Sequence, residues 1–577
     1  MDQSILKKNW QQKEQDENFI EQIIQKYQKT DILARLLSSR ISNVEDVVSF
    51  CCPKLEHSFP DPFKLKDMKK SVNRLLSAVS NSEKVCIFAD YDVDGSTSCA
   101  LLVKLFQVLQ VKYDVYVPHR LKEGYGPSKK AIDNIVNRGT NLLITVDCGA
   151  VAYDVISYGK SLNLDIIVID HHLSDKLVKD AFAVINPNRV DEQSNLTYLA
   201  AVGVVYLFVV AFVATIKLDC NLRDKVRNFN LLHLLDLVAL GTVCDVVPLI
   251  GLNRVFVCQG IKVLVKRKNI GLKVMWDLMD IRDDITSYHL GFLFGPRINA
   301  ASRMGYSNIT NKLLSTNCEN EAMMLALQLE ECNKTRKQIE LDILKDALKI
   351  VGENNDDVII VDSSEWHVGV IGIIASRIKD LYEKPVFVIS WENDIGKCSC
   401  RSIKGIDLGA KIIFAKLNGL LLDGGGHPMA GGCTIRREKL EDFKSFITNS
   451  VKEDIKNIGI QYFKYYDICI SLNAVNKNLL DEIEVISPFG VGNPEPVFRI
   501  DNLRVLNPLL RAEKHVSCFL YSSSKKVKAI AFGAFFNDLG KFLLSNPKNV
   551  FSIICKLKSN FFLGEKSVQC VIEDILV

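Results

Sequence analysis

Three short apolar runs, each ending in an acid, constrain this 577-residue chain more than any other feature. Val85–Ala89 leads to Asp90, Asn141–Val146 to Asp147, and Asp165–Ile169 to Asp170. A further run, Tyr113–Val117, lies between the first two, and amphipathic helical spacing fills the intervals. Alternation of this kind predicts a parallel α/β sheet. Ligands of such sheets sit beyond the carboxyl ends of the strands. The acids are therefore expected to gather along one edge of the sheet.

The acids come with partners that suit metal chemistry. In Asp90-Tyr91-Asp92-Val93-Asp94 a carboxylate recurs at every second position. A continuing strand would point all three to one face, which is costly without a cation. A loop around a divalent ion is the economical reading, and an exposed acidic turn or a calcium loop is the ordinary alternative. Asp170-His171-His172 joins carboxylate to imidazole, a donor set that suits Mn²⁺ or a similar ion, and Asp170 can orient one of the rings. Asp245 is a fourth acidic position, flanked by apolar residues in the segment 241–248. Gathered by one sheet, these groups fit two cations sharing a carboxylate, the arrangement that serves phosphoryl displacement.

A phosphodiester also needs positive charge and aimed N–H donors. Arg120 follows the run Tyr113–Val117, and Arg297, Asn299 and Arg303 cluster in the segment 295–305. Farther on, Ser399, Arg401 and Ser402 form a compact anion-binding set. Gly424, Gly425, Gly426 and His427 offer backbone amides that no side chain blocks. Surface ion pairing for the arginines and a tight turn for the glycines are the plainer alternatives.

Length implies several domains, because single hydrophobic cores stop growing well below 577 residues. The expected fold class is α/β and multidomain. Residues 1–44 form an N-terminal extension and 45–317 the parallel-sheet metal domain. A long connecting helix spans 318–351, a smaller α/β domain 352–455, and an OB-like β-barrel 456–577. Leu199–Ile216 is uncharged and long enough to span a bilayer, but it lies between parts of one α/β domain and reads as a buried helix. The net charge of +4 carries no argument for nucleic acid, so any basic surface must be local. The 17 cysteines follow no disulfide or zinc spacing, which predicts free, mostly buried thiols in a reducing cytoplasm. The first eight residues contain no signal-peptide core.

The motifs taken together resemble the DHH phosphoesterase superfamily, and within it the RecJ family. The likeness runs in order through FADYDVDG, VPHRLKEGYG, TVDCGA, VIDHH, LVALGTVCDVVPL, FGPRINAASRMG, EWHVGVIGIIASRI, CRSIKG and LDGGGHPMAGG. The resemblance implies a 5′→3′ exonuclease specific for single-stranded DNA, releasing 5′-mononucleotides in repair and recombination. It implies that Asp90, Asp92, Asp94, Asp147, His171 and Asp245 hold two Mn²⁺ or Mg²⁺ ions, with Asp147 between them. His172, beside Asp170, would contact the scissile phosphate or assist the leaving group. Ser399 and Arg401 would grip the 5′-terminal phosphate. Single-strand-binding protein and a helicase are the partners it suggests. Cys398 and Ser302 stand where the family usually has glycine, in segments read as phosphate loops. A DHH phosphodiesterase of short oligonucleotides or cyclic dinucleotides shares the same metal motif. A non-catalytic single-strand-binding replication factor would have lost ligands, whereas every acid and both histidines are present here.

Overall fold

The computed structural model describes residues 3–281, 283–352, 356–458, 463–522, 525–545, 549–562 and 565–577. In the first lobe, five parallel strands lie in the spatial order Tyr113–Tyr116, Val85–Ala89, Leu142–Val146, Asp165–Ile169 and Ala183–Ile185. Two of the expected strands are one residue shorter than their apolar runs. The fifth, Ala183–Ile185, is too short to show a period in the sequence. Successive side chains feed opposite faces: Val85, Ile87 and Ala89 enter one core, Cys86 and Phe88 the other. Both faces are covered by helices, which is why these strands are apolar throughout. The strand order changes direction at Val85–Ala89, so the crevice lies between its end and that of Leu142–Val146.

The uncharged segment forms helix Ala201–Ile216, which is buried along nearly all its length and packs against helix Val93–Leu109. Among the described residues, no helix is long and apolar enough to cross a membrane. The connecting helix is Glu319–Val351, 33 residues long. Beyond it a second sheet runs Asp423–His427, Ala430–Arg436, Ile395–Arg401, Val386–Glu392 and Ile359–Ser363. Here two expected loops prove to be regular structure. Cys398, Ser399 and Arg401 lie within a strand, and Gly424–His427 form the edge strand of a hairpin. Ser302 lies within helix Gly295–Arg303. Alternating small residues conceal these strands, because a strand rich in glycine and cysteine carries little apolar signal.

The last unit is a barrel. Strands Phe498–Arg511, His515–Ser522, Lys525–Ala531, Glu565–Leu576 and Phe551–Phe562 pair in that order, and the last closes on the first. The N-terminal segment belongs to this unit in space. Its strand Asn9–Gln12 pairs with Phe463–Tyr466, and Ile20, Ile23, Leu33, Leu36 and Leu37 enter the barrel core beside Ile468 and Phe498. Arg254 of the first lobe donates to the carbonyls of Phe50 and Ser487, pinning both ends of the chain to the metal lobe.

This shared core has a consequence for truncation. Removing residues 466–577 alone uncovers those five side chains, each worth about 1.5–3 kcal/mol when buried. The truncated chain is expected to aggregate and bind a hydrophobic dye, whereas removing residues 1–44 as well restores cooperative unfolding. Equal solubility and cooperativity of the two truncations would show that the N-terminal helices do not depend on the barrel.

Candidate active site

Asp90, Asp147 and Asp170 are each the first residue past a central strand. Each donates its amide to the neighbouring strand: Asp90 to Val146 O, Asp147 to Ile169 O and Asp170 to Ile185 O. This staggered ladder fixes a row of carboxylates along the sheet edge. The first motif is neither a continuing strand nor a free loop, because a helix begins inside it. Asp92 is the N-cap of helix Val93–Leu109 and accepts from Gly95 N at 3.0 Å. Asp94, in the first turn, accepts from the amides of Ala201 and Val202 at 2.7 and 2.8 Å. It thereby caps the buried apolar helix, whose own N-cap residue, Ala200, has no side chain able to accept a hydrogen bond.

Close backbone packing brings the remaining acid in. A Cβ at Gly95 would lie 2.5 Å from Asp90 O, and one at Gly241 would lie 2.3 Å from Thr97 Oγ1. Helix Leu235–Cys244 can therefore press against helix Val93–Leu109 and deliver Asp245 at its end. Two residues at the site are held in the left-handed region: Asp147 at φ 61° and the β-branched Val246 at φ 64°. Strain of this kind persists where the surroundings over-determine it, commonly at functional sites.

His171 Nε2 stands 3.4 Å from Asp147 Oδ1, 3.5 Å from Asp245 Oδ2 and 4.0 Å from Asp94 Oδ2. Three overlapping sets converge closely enough to share a cation: Asp90, Asp92 and Asp147; Asp94, His171 and Asp245; Asp147, His171 and His172. Asp90 Oδ1, Asp147 Oδ1, His171 Nε2 and Asp245 Oδ2 are all buried without a hydrogen-bond partner among the described residues. Orphaned polar atoms are rare in folded proteins and costly. Four of them within overlapping clusters of carboxylate and imidazole fit divalent cations of the Mn²⁺ or Mg²⁺ type. The electrostatics agree. Burial, and then the neighbouring carboxylates, push Asp90, Asp147 and Asp245 well above the usual range and Asp94 up to about 7. Burial and His172 bring His171 down to about 4, the neutral form that ligates metal.

His172 is set apart by its partners. Its Nδ1 lies 2.7 Å from Asp170 Oδ1 and 3.2 Å from Tyr125 Oη. Burial alone would lower His172, but the hydrogen bond and charge of Asp170 outweigh it and raise the ring. Burial likewise opposes ionisation of Asp170, yet His172 holds that carboxyl at about 2. The backbone amides of Ala150, His171 and His172 also bond to Asp170. Three supporting residues escaped the sequence reading. Tyr125 also donates to Asp147 O, while Asn186 and Asn188 donate to the carbonyls of His172 and His171. Asn186 and Asn188 follow the strand Ala183–Ile185, and polar residues after that run were the available signal.

A cationic wall faces this cluster. Arg120 lies over the Tyr91 ring, 4.7 Å from its centroid, and acts on Asp90. Arg303 is half-buried and donates to Gly369 O of the second lobe at 2.9 Å. Burial lowers its guanidinium, and the charges of Arg120, Arg336 and Arg401 lower it further. Arg401 is lowered by burial and by Arg120 in the same way. Arginines that repel one another across the two lobes are suited to receiving an anion. Ser399 and Arg401 lie against the opening turn of helix Ile371–Tyr382, where a Cβ at Gly372 would be 3.0 Å from Ser399 Oγ and 3.4 Å from Arg401 Nη2. Other members of the expected set are engaged elsewhere. Arg297 pairs with Glu330 of the connecting helix at 2.6 Å, and the buried Ser402 hydroxyl donates to Ile406 O. Asn299 keeps a buried, unpartnered Oδ1 among the described residues. Gly425 faces open space, Gly426 packs tightly on Ala430, and His427 is exposed.

Known proteins are similar to this chain in sequence and in fold. The profile described as "DHH family, N-terminal domain" matches residues 84–242, "DHHA1 domain" residues 355–453, and "RecJ OB domain" residues 466–574. The single-stranded-DNA-specific exonuclease RecJ of Bacillus subtilis (strain 168) is 30% identical over 583 residues, 99% of this chain and 71% of that protein. The crystal structure of RecJ from Thermus thermophilus in complex with Mn²⁺ superposes with a TM-score of 0.80 at 22% identity, covering 98% of this chain and 79% of that one. A crystal structure of exonuclease RecJ bound to manganese is 28% identical, with a TM-score of 0.58 over 67% of this chain and 95% of that one. On sequence likeness along nearly its whole length, the chain belongs to the RecJ family of DHH proteins.

Proposed function

We propose that this chain is a metal-dependent exonuclease that degrades single-stranded DNA from its 5′ end, releasing 5′-mononucleotides in repair and recombination. The observation that carries the reading is the knot of Asp90, Asp92, Asp94, Asp147, His171 and Asp245, with its orphaned atoms, facing Arg120, Arg303 and Arg401. Asp90 and Asp92 would hold one cation and His171 and Asp245 another, with Asp147 touching both sets and Asp94 supporting them from a helix cap. Two such ions, when bound, neutralise phosphate charge and ease the ionisation of water. His172, oriented by Asp170 and Tyr125, would hold a proton at the ring nitrogen facing the phosphate and serve the leaving oxygen. Arg120 and Arg303 would hold the scissile phosphate, with Arg297 and Asn299 along the same helix. Ser399 and Arg401 would grip the terminal phosphate, with Ser402, Gly425, Gly426 and His427 shaping that wall.

The division of labour follows the lobes. Residues 45–317 would carry chemistry, 318–351 connect, 352–455 hold the strand end, and 456–577, with 1–44 folded onto it, hold the downstream strand. The working compartment would be the cytoplasm, beside single-strand-binding protein and a helicase. Strands labelled at either end, incubated with and without Mn²⁺ or Mg²⁺, test the whole reading. Release of label from the 5′ end first, only with metal, is expected. Release from the 3′ end first, or in the presence of chelator, would overturn it.

Asp147→Ala removes the carboxylate common to two of the cation sets, so hydrolysis is expected to fall by more than about a hundredfold while the fold survives. Near-normal turnover by a folded variant would reject two-cation catalysis. Metal should also act on stability. In chelated protein the raised carboxyls bind protons more tightly folded than unfolded, so the stability they contribute is fully present only at low pH. It is lost as pH rises from about 4 toward the Asp94 value of about 7. Thermal melts at saturating Mn²⁺ should show a higher Tm at pH 7 and no such decline. Identical melts with and without Mn²⁺ at pH 7 would argue against metal at this cluster. Arg401→Ala should raise KM for 5′-phosphorylated strands more than for unphosphorylated ones. An unchanged ratio of kcat/KM for the two substrates would place Arg401 elsewhere along the strand.

A further inference from the structure

A wide helical turn, Leu290–Phe294, joins Ser287–His289 to helix Gly295–Arg303. Turns of this π type are frequent at functional sites. The outer face of the segment 287–294 carries Tyr288, just before the wide turn, and Phe292 within it, 52% and 67% exposed. Their rings stack with centroids 5.0 Å apart and 23° between planes. Neither ring belongs to a hydrophobic core among the described residues. The inner face packs on the metal lobe. Cys244 Sγ donates to Leu290 O at 3.4 Å, and a Cβ at Gly291 would lie 3.3 Å from Val243. Cys244 immediately precedes Asp245. On the other side is the C-terminal unit. Ser287 Oγ donates to Phe489 O at 2.6 Å, and Lys558 Nζ lies 5.6 Å from the Tyr288 ring centroid while pairing with Glu495 at 3.1 Å.

We propose that Tyr288 and Phe292 form a stacking platform for an unpaired nucleobase of the strand passing from the barrel to the metal cluster. The inference rests on the single-strand nuclease reading and gives it a point of base contact. The platform sits where barrel and metal lobe meet, and the helix that follows leads to Arg297, Asn299 and Arg303. Aromatic faces accept any base, so the contact adds affinity without sequence preference. A base locked in a duplex has both faces covered by its neighbours, so the platform also favours single strands. Lys558 would lend positive charge to the adjoining phosphate only by leaving its pairing with Glu495.

The test separates binding from hydrolysis. Affinity for a fluorescein-labelled single strand is measured by anisotropy in the full chain carrying Asp147→Ala, with Mn²⁺ present. A single abasic site is walked along the strand. Binding is expected to weaken roughly tenfold, the scale of one stacked base, when the gap falls at one or two adjacent positions. Adding Tyr288→Ala and Phe292→Ala should weaken binding of the intact strand by the same factor and erase the position dependence. Tyr288→Phe with Phe292→Trp should retain it. A doubly alanine-substituted chain with unchanged Tm that binds the intact strand as tightly as its parent, or keeps the same abasic profile, overturns the platform. End-label release by the unaltered protein judges the nuclease reading separately.

Discussion

Packing Asp90, Asp92, Asp94, Asp147 and Asp245 against one sheet edge is unfavourable in itself, and much of the first lobe serves to hold them there. Burial and mutual repulsion both oppose their ionisation. The backbone supplies the resistance. Ladder bonds fix Asp90, Asp147 and Asp170, one helix starts on Asp92, and another starts on Asp94. Glycines at 95 and 241 allow approaches that any side chain would block. A carboxylate that caps a buried helix cannot swing away from its neighbours without uncovering two amides. The repulsion is thereby built into the folded state, ready for cations to relieve it.

The opposite charge gathers where the two lobes meet, from Arg120 and Arg303 on the first, Arg401 on the second and Arg336 on the helix between them. Arg303 reaches across to Gly369 O, and the charges of Arg120, Arg336 and Arg401 all act on it. A polyanion threaded between the lobes would meet cations in front and carboxylates behind. The carboxylates would repel it unless metal were present, which couples strand binding to metal binding through charge alone. Arg297 illustrates how close structural and functional roles lie: the same helix that offers Arg303 to the cleft uses Arg297 to tie itself to Glu330.

The chain ends are joined by a different force. The helices near residues 20 and 35 have apolar faces too small to stand alone, and they complete the core of a barrel more than 400 residues later. Arg254, satisfied by carbonyls from both ends, fastens that composite unit to the metal lobe. The aromatic pair Tyr288 and Phe292 lies at this seam, where a strand held by the barrel would turn toward the cations.

Much of the metal cluster was legible in the chain itself, because an acid after an apolar run reports both the strand and its end. Val85–Ala89, Leu142–Val146 and Asp165–Ile169 declared themselves through nearly continuous apolar character, and the buried helix Ala201–Ile216 through its composition. Periodicity reports only local burial, so it could not assign the glycine- and cysteine-rich strands of the second lobe or the three-residue strand Ala183–Ile185. Nor could it reveal that Asp94 caps a helix more than 100 residues away, or that Tyr125 braces His172. It left open whether Arg297 faces substrate or Glu330, and gave no sign that the first 44 residues complete the last domain. Residue type and spacing determined the chemistry available to this chain. Partners distant in sequence decided how that chemistry is oriented, because hydrogen bonds and packing between remote segments exist only after the chain has closed on itself.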